Sequence, residues 1–211
     1  VGEAGGEEWK RIVPFDYCLL ATGSSYPGVV RAGRGEATIA ERRKTWQDQH
    51  ARLVSSSSVI IVGGGMAGAE LAAEIISAFP SKSVTVIHAH ESMCKELPAA
   101  AKAYVEQWLR KRGVKLMLHR RVMEFDEHRC VLEGGEVLEA DSVYLCSGMS
   151  PRSDAVARNA QPGTLDKKGF VRVNRKLQVQ GRINVFAAGD VMMQDDCDEV
   201  KSGYLAERNA K

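Results

Sequence analysis

Apolar positions along this chain follow two periods, and the switch between them marks its elements. Residues 59–62 (VIIV) run apolar without interruption and 84–88 (VTVIH) nearly so, as strands covered on both faces do. Between them, 66–79 is alanine-rich and amphipathic and predicts a helix. A second helix is predicted over 98–112, where Tyr104, Val105, Trp108 and Leu109 recur at helical spacing and Gly113 supplies the stop. The order is therefore β-α-β-α. A shorter strand is predicted at 115–118, then antiparallel strands around 121–125, 130–133 and 136–139, with Gly134-Gly135 as a two-residue hairpin turn. "SVYLCSG" would return the chain to the parallel sheet.

The flanks read differently. Residues 1–11 are glycine- and glutamate-rich and predict a loop, "FDYCLLATGSSYPG" a buried strand with a turn at its end, and 36–54 a solvent-facing helix carrying Ile39, Trp46 and Leu53 among many charges. Residues 150–182 are polar and turn-rich, after which "INVFAAGD" supplies one more buried strand. A strand running into glycine thus occurs three times: "CLLATG", "VYLCSG" and "VFAAGD".

Composition narrows the function classes. With 44% hydrophobic and 27% charged residues, the chain has the makings of one sizeable core. Lys plus Arg exceeds Asp plus Glu by only 29 to 27, and the basic residues are scattered apart from "ERRK" at 41–44, so nucleic acid is not expected as a partner. Five cysteines (Cys18, Cys94, Cys130, Cys146 and Cys197) lie far apart without a CxxC pair or a zinc spacing, and read as reduced thiols. His88 and His90 stand two apart with no third ligand of suitable spacing, the acids of "QDDCDEV" at 194–200 read as a solvated run, and no metal is expected. Met192 and Met193 read as gap-fillers against the sheet. No apolar run is long enough to span a membrane.

The candidate chemistry lies in "VIIVGGGMAGAELAAEI". Gly63, Gly65 and Gly68 satisfy G-x-G-x-x-G directly after a predicted strand and at the mouth of a predicted helix. In that context the first glycine makes the turn, the second lets backbone approach a pyrophosphate, and the third lets helix and strand pack closely. The amides from Gly63, Gly64 and Gly65 through Met66, Ala67 and Gly68 would then face the anion. An NAD-selective site ends its second strand in an acid that accepts the ribose 2′-hydroxyl. Here His88 stands in that place. Glu91 is the acid available from the following loop, while His88, His90 or Lys95 would tolerate a 2′-phosphate, so the choice between NADH and NADPH stays open at this point.

Taken in order, "FDYCLLATGSSYP", "VIIVGGGMAGAELAAEI", "VYLCSGMSP" and "NVFAAGDV" resemble motifs of the two-dinucleotide-fold flavoprotein oxidoreductases, the pyridine nucleotide-disulfide oxidoreductase superfamily. "GGGMAGAELAAEI" and the histidine ending "VTVIH" look most like its ferroptosis-suppressor and apoptosis-inducing-factor-like group and the related type II NADH dehydrogenases. The resemblance implies an α/β fold: a Rossmann-like parallel sheet with an added antiparallel β-meander in three-layer ββα form, flanked by fragments of an FAD domain. Residues 1–54 would be a partial FAD-domain segment and linker helix, 55–149 the NAD(P)-binding domain, and 150–211 the return into the FAD domain. The FAD pyrophosphate loop would precede this chain, and a dimerisation or membrane-contact region would follow it, so that FAD binding by this stretch alone is expected to be weak or absent.

The resemblance also implies residue roles. Glu70 matches a glutamate pointing towards the nicotinamide and flavin rings, Ser147 and Gly148 the turn near the nicotinamide ribose, Gly189 and Asp190 the contact to the flavin ribityl chain, and Thr22 and Gly23 the crossover between domains. NAD(P)H and FAD are the expected cofactors, with hydride passing to the flavin and on to a quinone-like acceptor. The alternative is a nucleotide sensor of the apoptosis-inducing-factor type with little turnover. An intracellular setting, cytoplasmic or mitochondrion-associated, goes with either reading.

Overall fold

A computed structural model describes residues 13–26, 28, 36–158, 160–195, 197 and 201–210. The loop expected at 1–11 and most of the acidic run at 194–200 lie outside the described residues. In chain order, β1 (Cys18–Leu20) and β2 (Ser24–Ser25) are followed by α1 (Ile39–Ser55), β3 (Ser58–Val62), α2 (Met66–Ala78), β4 (Ser83–Ile87), α3 (Ala99–Lys111) and β5 (Lys115–Met117). Then come β6 (Val122–Phe125), β7 (Arg129–Leu132), β8 (Val137–Glu139), β9 (Ser142–Leu145) and β10 (Ser150–Pro151). The remainder is α4 (Asp154–Ala157), β11 (Val171–Val173), β12 (Val185–Ala187), β13 (Met192–Gln194) and α5 (Gly203–Asn209). These form two compact units, one joining the chain up to Ser24 with the chain from Ser150 on, the other Ser25–Met149.

The second unit is built on a four-stranded parallel sheet of order β5-β4-β3-β9. Successive residues of β3 point to opposite faces, and both faces are covered, which is why the strand is apolar throughout. Val59 and Ile61, with Val84 and Val86 of β4, pack under α2 and α3 against Ala72, Ile75 and Leu109. Ile60, Val62 and Ile87 face the other way, onto Cys130 and Leu132 of the three-stranded antiparallel sheet β6-β7-β8. The result is the three-layer ββα arrangement. Gly134 and Gly135 both adopt positive φ (99° and 87°), but the loop is one residue longer than the two-residue turn expected: the Gly135 N–H donates to Leu132 O at 2.9 Å and the Leu132 N–H to Glu136 O at 2.8 Å, so residues 133–135 join β7 to β8.

Helix α1 opens on a capping box: the Thr38 hydroxyl accepts from the Glu41 N–H, and the Glu41 carboxylate accepts from the Thr38 N–H at 2.8 Å. Taken from the sequence as a linker before residue 55, it groups instead with the second unit. Leu53 packs on the helical side of the sheet, and Arg52 donates to Ser142 Oγ at 3.0 Å and to the Glu127 carbonyl. The hydroxyls of Ser142 and Ser56, both buried, meet at 2.7 Å.

In the first unit β1 pairs in parallel with β12, and β11 with β13. Val171, Val173, Val179, Ala187, Val191 and Met192 form its core, so Met192 fills space as expected. The polar stretch 150–182 contains a strand pattern did not reveal, β11, only three residues long between Gly169 and Asn174. The buried strand expected in "CLLATG" is buried in part: Leu20 packs on the core of the first unit, while Leu19, on the opposite face of β1, is 61% exposed. No helix among the described residues is long and apolar enough to cross a membrane.

Candidate dinucleotide site

The glycine turn shows what each small residue is for. Gly63 leaves β3 at φ +112°, its N–H donating to Ile87 O at 2.8 Å, and a Cβ there would lie 2.8 Å from the Cys146 carbonyl oxygen. Gly64 donates to Nδ1 of His88 at 3.0 Å and accepts from the Cys94 N–H at 2.8 Å; its Cβ would strike the His88 ring. At Gly68 a Cβ would fall 1.8 Å from the Gly63 carbonyl oxygen, so this helix can approach this strand only without a side chain. Gly65 differs from the other three. A Cβ built on it meets nothing within 4 Å, and its φ of −74° suits any residue. Packing within the protein therefore explains Gly63, Gly64 and Gly68, whereas the space in front of Gly65 is left for something else.

That space is chemically biased. Gly65 is the N-cap of α2 and no side chain caps the helix, so the first-turn amides, including those of Met66 and Ala67, keep their donor capacity and the positive end of the helix dipole. In front of them is a crevice of about 570 Å³, bordered by Gly63, Gly65, His88, His90, Ser147 and Gly148. It opens at the carboxyl ends of β3, β4 and β9, where strand order reverses, β4 lying on one side of β3 and β9 on the other. Open α/β sheets bind nucleotides at such a point. The volume suits a medium-sized organic ligand. A backbone cradle that a side chain would fill, together with an uncapped helix, fits the pyrophosphate of a dinucleotide.

His88 is the residue most altered by its setting. Burial, then the neighbouring His90 at 5.1 Å between ring centroids, pushes its pKa below the ordinary histidine value. Accepting from Gly64 at Nδ1 requires an unprotonated nitrogen there, so in the neutral ring the hydrogen sits on Nε2, which is buried and has no hydrogen-bond partner among the described residues. Cys146, also at the crevice wall, is pushed up to about 11 by burial, and burial likewise raises Cys94 and Cys130. All three stay protonated thiols near neutral pH and are poor nucleophiles.

The remaining expected site residues fall in different places. Glu91 is exposed and lies outside the lining of the crevice. Glu70 is exposed on α2 and borders a separate groove with Met66, Cys94, Tyr104 and Trp108. Gly148 turns at φ +86° in the crevice wall. Thr22, Gly23, Gly189 and Asp190 come together within the first unit. There the Thr22 hydroxyl donates to Arg152 O at 2.6 Å and the Ala188 N–H to Leu20 O at 3.0 Å. Ser24, fully buried and not singled out by sequence, donates from its hydroxyl to Asp190 Oδ2 at 2.7 Å. Arg120 and Arg121, just after β5, also line the crevice. Their basic pair was visible, but its position beside His88 depends on sheet order.

Comparison with known proteins bears on all of this. The family profile described as pyridine nucleotide-disulphide oxidoreductase matches residues 2–209. Human ferroptosis suppressor protein 1 is 33% identical over 214 aligned residues, covering 96% of this chain and 54% of that protein. Apoptosis-inducing factor homolog A of Dictyostelium discoideum is 26% identical, with 95% of this chain and 54% of that protein covered. Among solved structures, a ferredoxin reductase from Rhodopseudomonas palustris superposes with a TM-score of 0.69 at 17% identity, over 94% of this chain and 50% of that one. A NAD-dependent persulfide reductase from A. fulgidus gives 0.67 at 20% identity, over 92% and 38%. The chain spans about half the length of the curated relatives it matches.

Proposed function

This chain belongs to the pyridine nucleotide-disulphide oxidoreductase family, and on that premise we propose that its second unit is the NAD(P)H-binding part of a flavin-dependent oxidoreductase with a quinone-like acceptor. Bound nicotinamide and flavin supply hydride transfer from C4 of one to N5 of the other. What the chain's own residues do is bind, orient and exclude water. Gly65, Met66 and Ala67 present amides to the pyrophosphate. Ser147 and Gly148 form the opposite wall, where the positive φ of Gly148 turns the backbone at the nicotinamide end. Glu70, exposed on α2, borders a separate groove and not this crevice, so the role towards the nicotinamide ring that the resemblance implies has no support from the crevice lining. Thr22, Gly23, Gly189 and Asp190 contribute to the flavin side from the first unit, with Asp190 held by Ser24.

The open space in front of Gly65 carries this reading, since no packing contact accounts for it. Thiols that burial keeps protonated favour an acceptor that takes electrons from flavin directly over relay through Cys94, Cys130 or Cys146. The test is fluorescence titration of the chain with NADH and NADPH, followed by nicotinamide oxidation with a short-chain quinone by the protein in a form that holds FAD, since this stretch alone is expected to bind flavin weakly or not at all and to be inactive by itself. Saturable binding and quinone-dependent turnover are expected. Binding with negligible turnover would replace the enzyme by a nucleotide sensor, and failure to bind either coenzyme would overturn both.

A further inference from the structure

Resting on that nucleotide reading, we propose that the crevice selects the 2′-phosphorylated coenzyme, NADP(H), through a cationic edge formed by Lys95, Arg120 and Arg121. An NAD-selective site needs a carboxylate at the end of the second strand of the sheet unit to accept the ribose 2′-hydroxyl. In this chain that position, immediately after β4, is His88, whose Nδ1 is already engaged by the Gly64 amide. Glu91 stands outside the lining, so Glu96 is the one carboxylate there, against three fixed positive charges.

The two arginines are brought to the crevice by backbone. The Arg120 N–H donates to His88 O at 2.9 Å, and the His119 N–H donates to His90 O at 3.1 Å, which stitches the segment after β5 onto the loop after β4. His119 adopts φ +54°, a left-handed conformation that a side chain bears at a cost and that persists where surrounding structure enforces it. It turns the chain so that consecutive guanidiniums follow at the edge. Arg121 and Lys95 make no ion pair among the described residues, and the Arg120–Glu136 pair is loose, at 3.9 Å with both side chains about half exposed. Like charges gathered at a concave wall raise the local potential, and a phosphate dianion at the adenosine ribose would relieve it through charge-assisted hydrogen bonds. A bare 2′-hydroxyl gains nothing comparable from three donors.

The experiment is calorimetric titration of the 211-residue chain with NADPH and with NADH, repeated with 2′,5′-ADP, 5′-AMP and inorganic phosphate. NADPH is expected to bind about tenfold or more tightly than NADH, 2′,5′-ADP to outrank 5′-AMP by a similar factor, and both preferences to shrink as salt is raised. A Lys95→Ala/Arg121→Ala double variant, altering two exposed side chains, should bring NADPH affinity down to that of NADH. Equal or tighter binding of NADH would overturn the selectivity and leave the nucleotide site standing. If inorganic phosphate matched 2′,5′-ADP, the edge would be a general anion site and the proposal would fail. Absence of binding by either coenzyme would instead remove the nucleotide reading on which the proposal rests.

Discussion

Both units of this chain end a parallel strand in a glycine of positive φ, Gly63 at +112° and Gly189 at +74°, yet their surroundings differ sharply. Gly63 leaves a strand flanked on both edges and covered on both faces, by helices on one side and the β-meander on the other. Gly189 follows a strand bonded to β1 on one edge and, through the Gln178–Phe186 bridge, to residues 177–179 on the other, but Leu19 of β1 stays 61% exposed, and a Cβ on Gly189 would meet the Ala206 methyl at an ordinary 3.5 Å. A strand-glycine turn is thus a local instruction that two environments can share. A crevice with fixed walls arises where layers close on both faces and force helix, strand and loop backbones into contact.

The largest difference between the units is expected where contact is closest. Gly68→Ala would drive a methyl against the Gly63 carbonyl and should destabilise the second unit by about 3 kcal/mol or more. Gly189→Ala, which meets only backbone preference, should cost about 1 kcal/mol. Equilibrium denaturation of each variant reads the difference, and equal losses would remove the distinction between the units.

Next in size is the grouping of α1 with the sheet. Arg52→Ala removes donors from the Glu127 carbonyl and from Ser142, whose hydroxyl is buried. A loss of about 2 kcal/mol is expected, measured by denaturant unfolding. No loss would detach α1 from the unit, as the sequence-derived boundary at residue 55 implied.

The smallest effect concerns the opposite end of the sheet, where the Asp141 carboxylate accepts from the Ser57 and Ser58 amides at 2.8 and 2.9 Å. The Ser58 amide, then that of Ser57, holds its pKa below the ordinary aspartate value. A folded pKa below the unfolded one means stability present above the unfolded value, about 4, and lost as pH falls through the folded value. Asp141→Asn should flatten this acid limb in unfolding measured from about pH 5 down to 3. An unchanged slope would show that the hydrogen bonds do not hold the carboxylate in solution.

How legible these features were depended on how local they are. The parallel strands and the two long helices of the second unit follow from runs and periods within single segments, and Gly63, Gly65 and Gly68 from a spacing that fits one turn. Strand β11 escaped because three residues carry no period and its partner β13 is non-local. The Ser24–Asp190 hydrogen bond spans 166 positions, and only the pairing of β1 with β12 brings those two strand ends together. Arg120 and Arg121 were hidden for the same reason, since their adjacency to His88 is set by β5 lying next to β4. Glu91 looked available because loop sequence does not reveal which way a side chain leaves the sheet edge.

The central claim is that the space before Gly65 belongs to a coenzyme pyrophosphate, and Gly65→Ala tests it most directly, because its methyl touches no protein atom. The account predicts a stability loss no larger than the roughly 1 kcal/mol of an N-cap change to alanine, together with about a tenfold or greater loss of NADPH and NADH affinity in titration calorimetry. Undiminished affinity in a folded Gly65→Ala protein would contradict it.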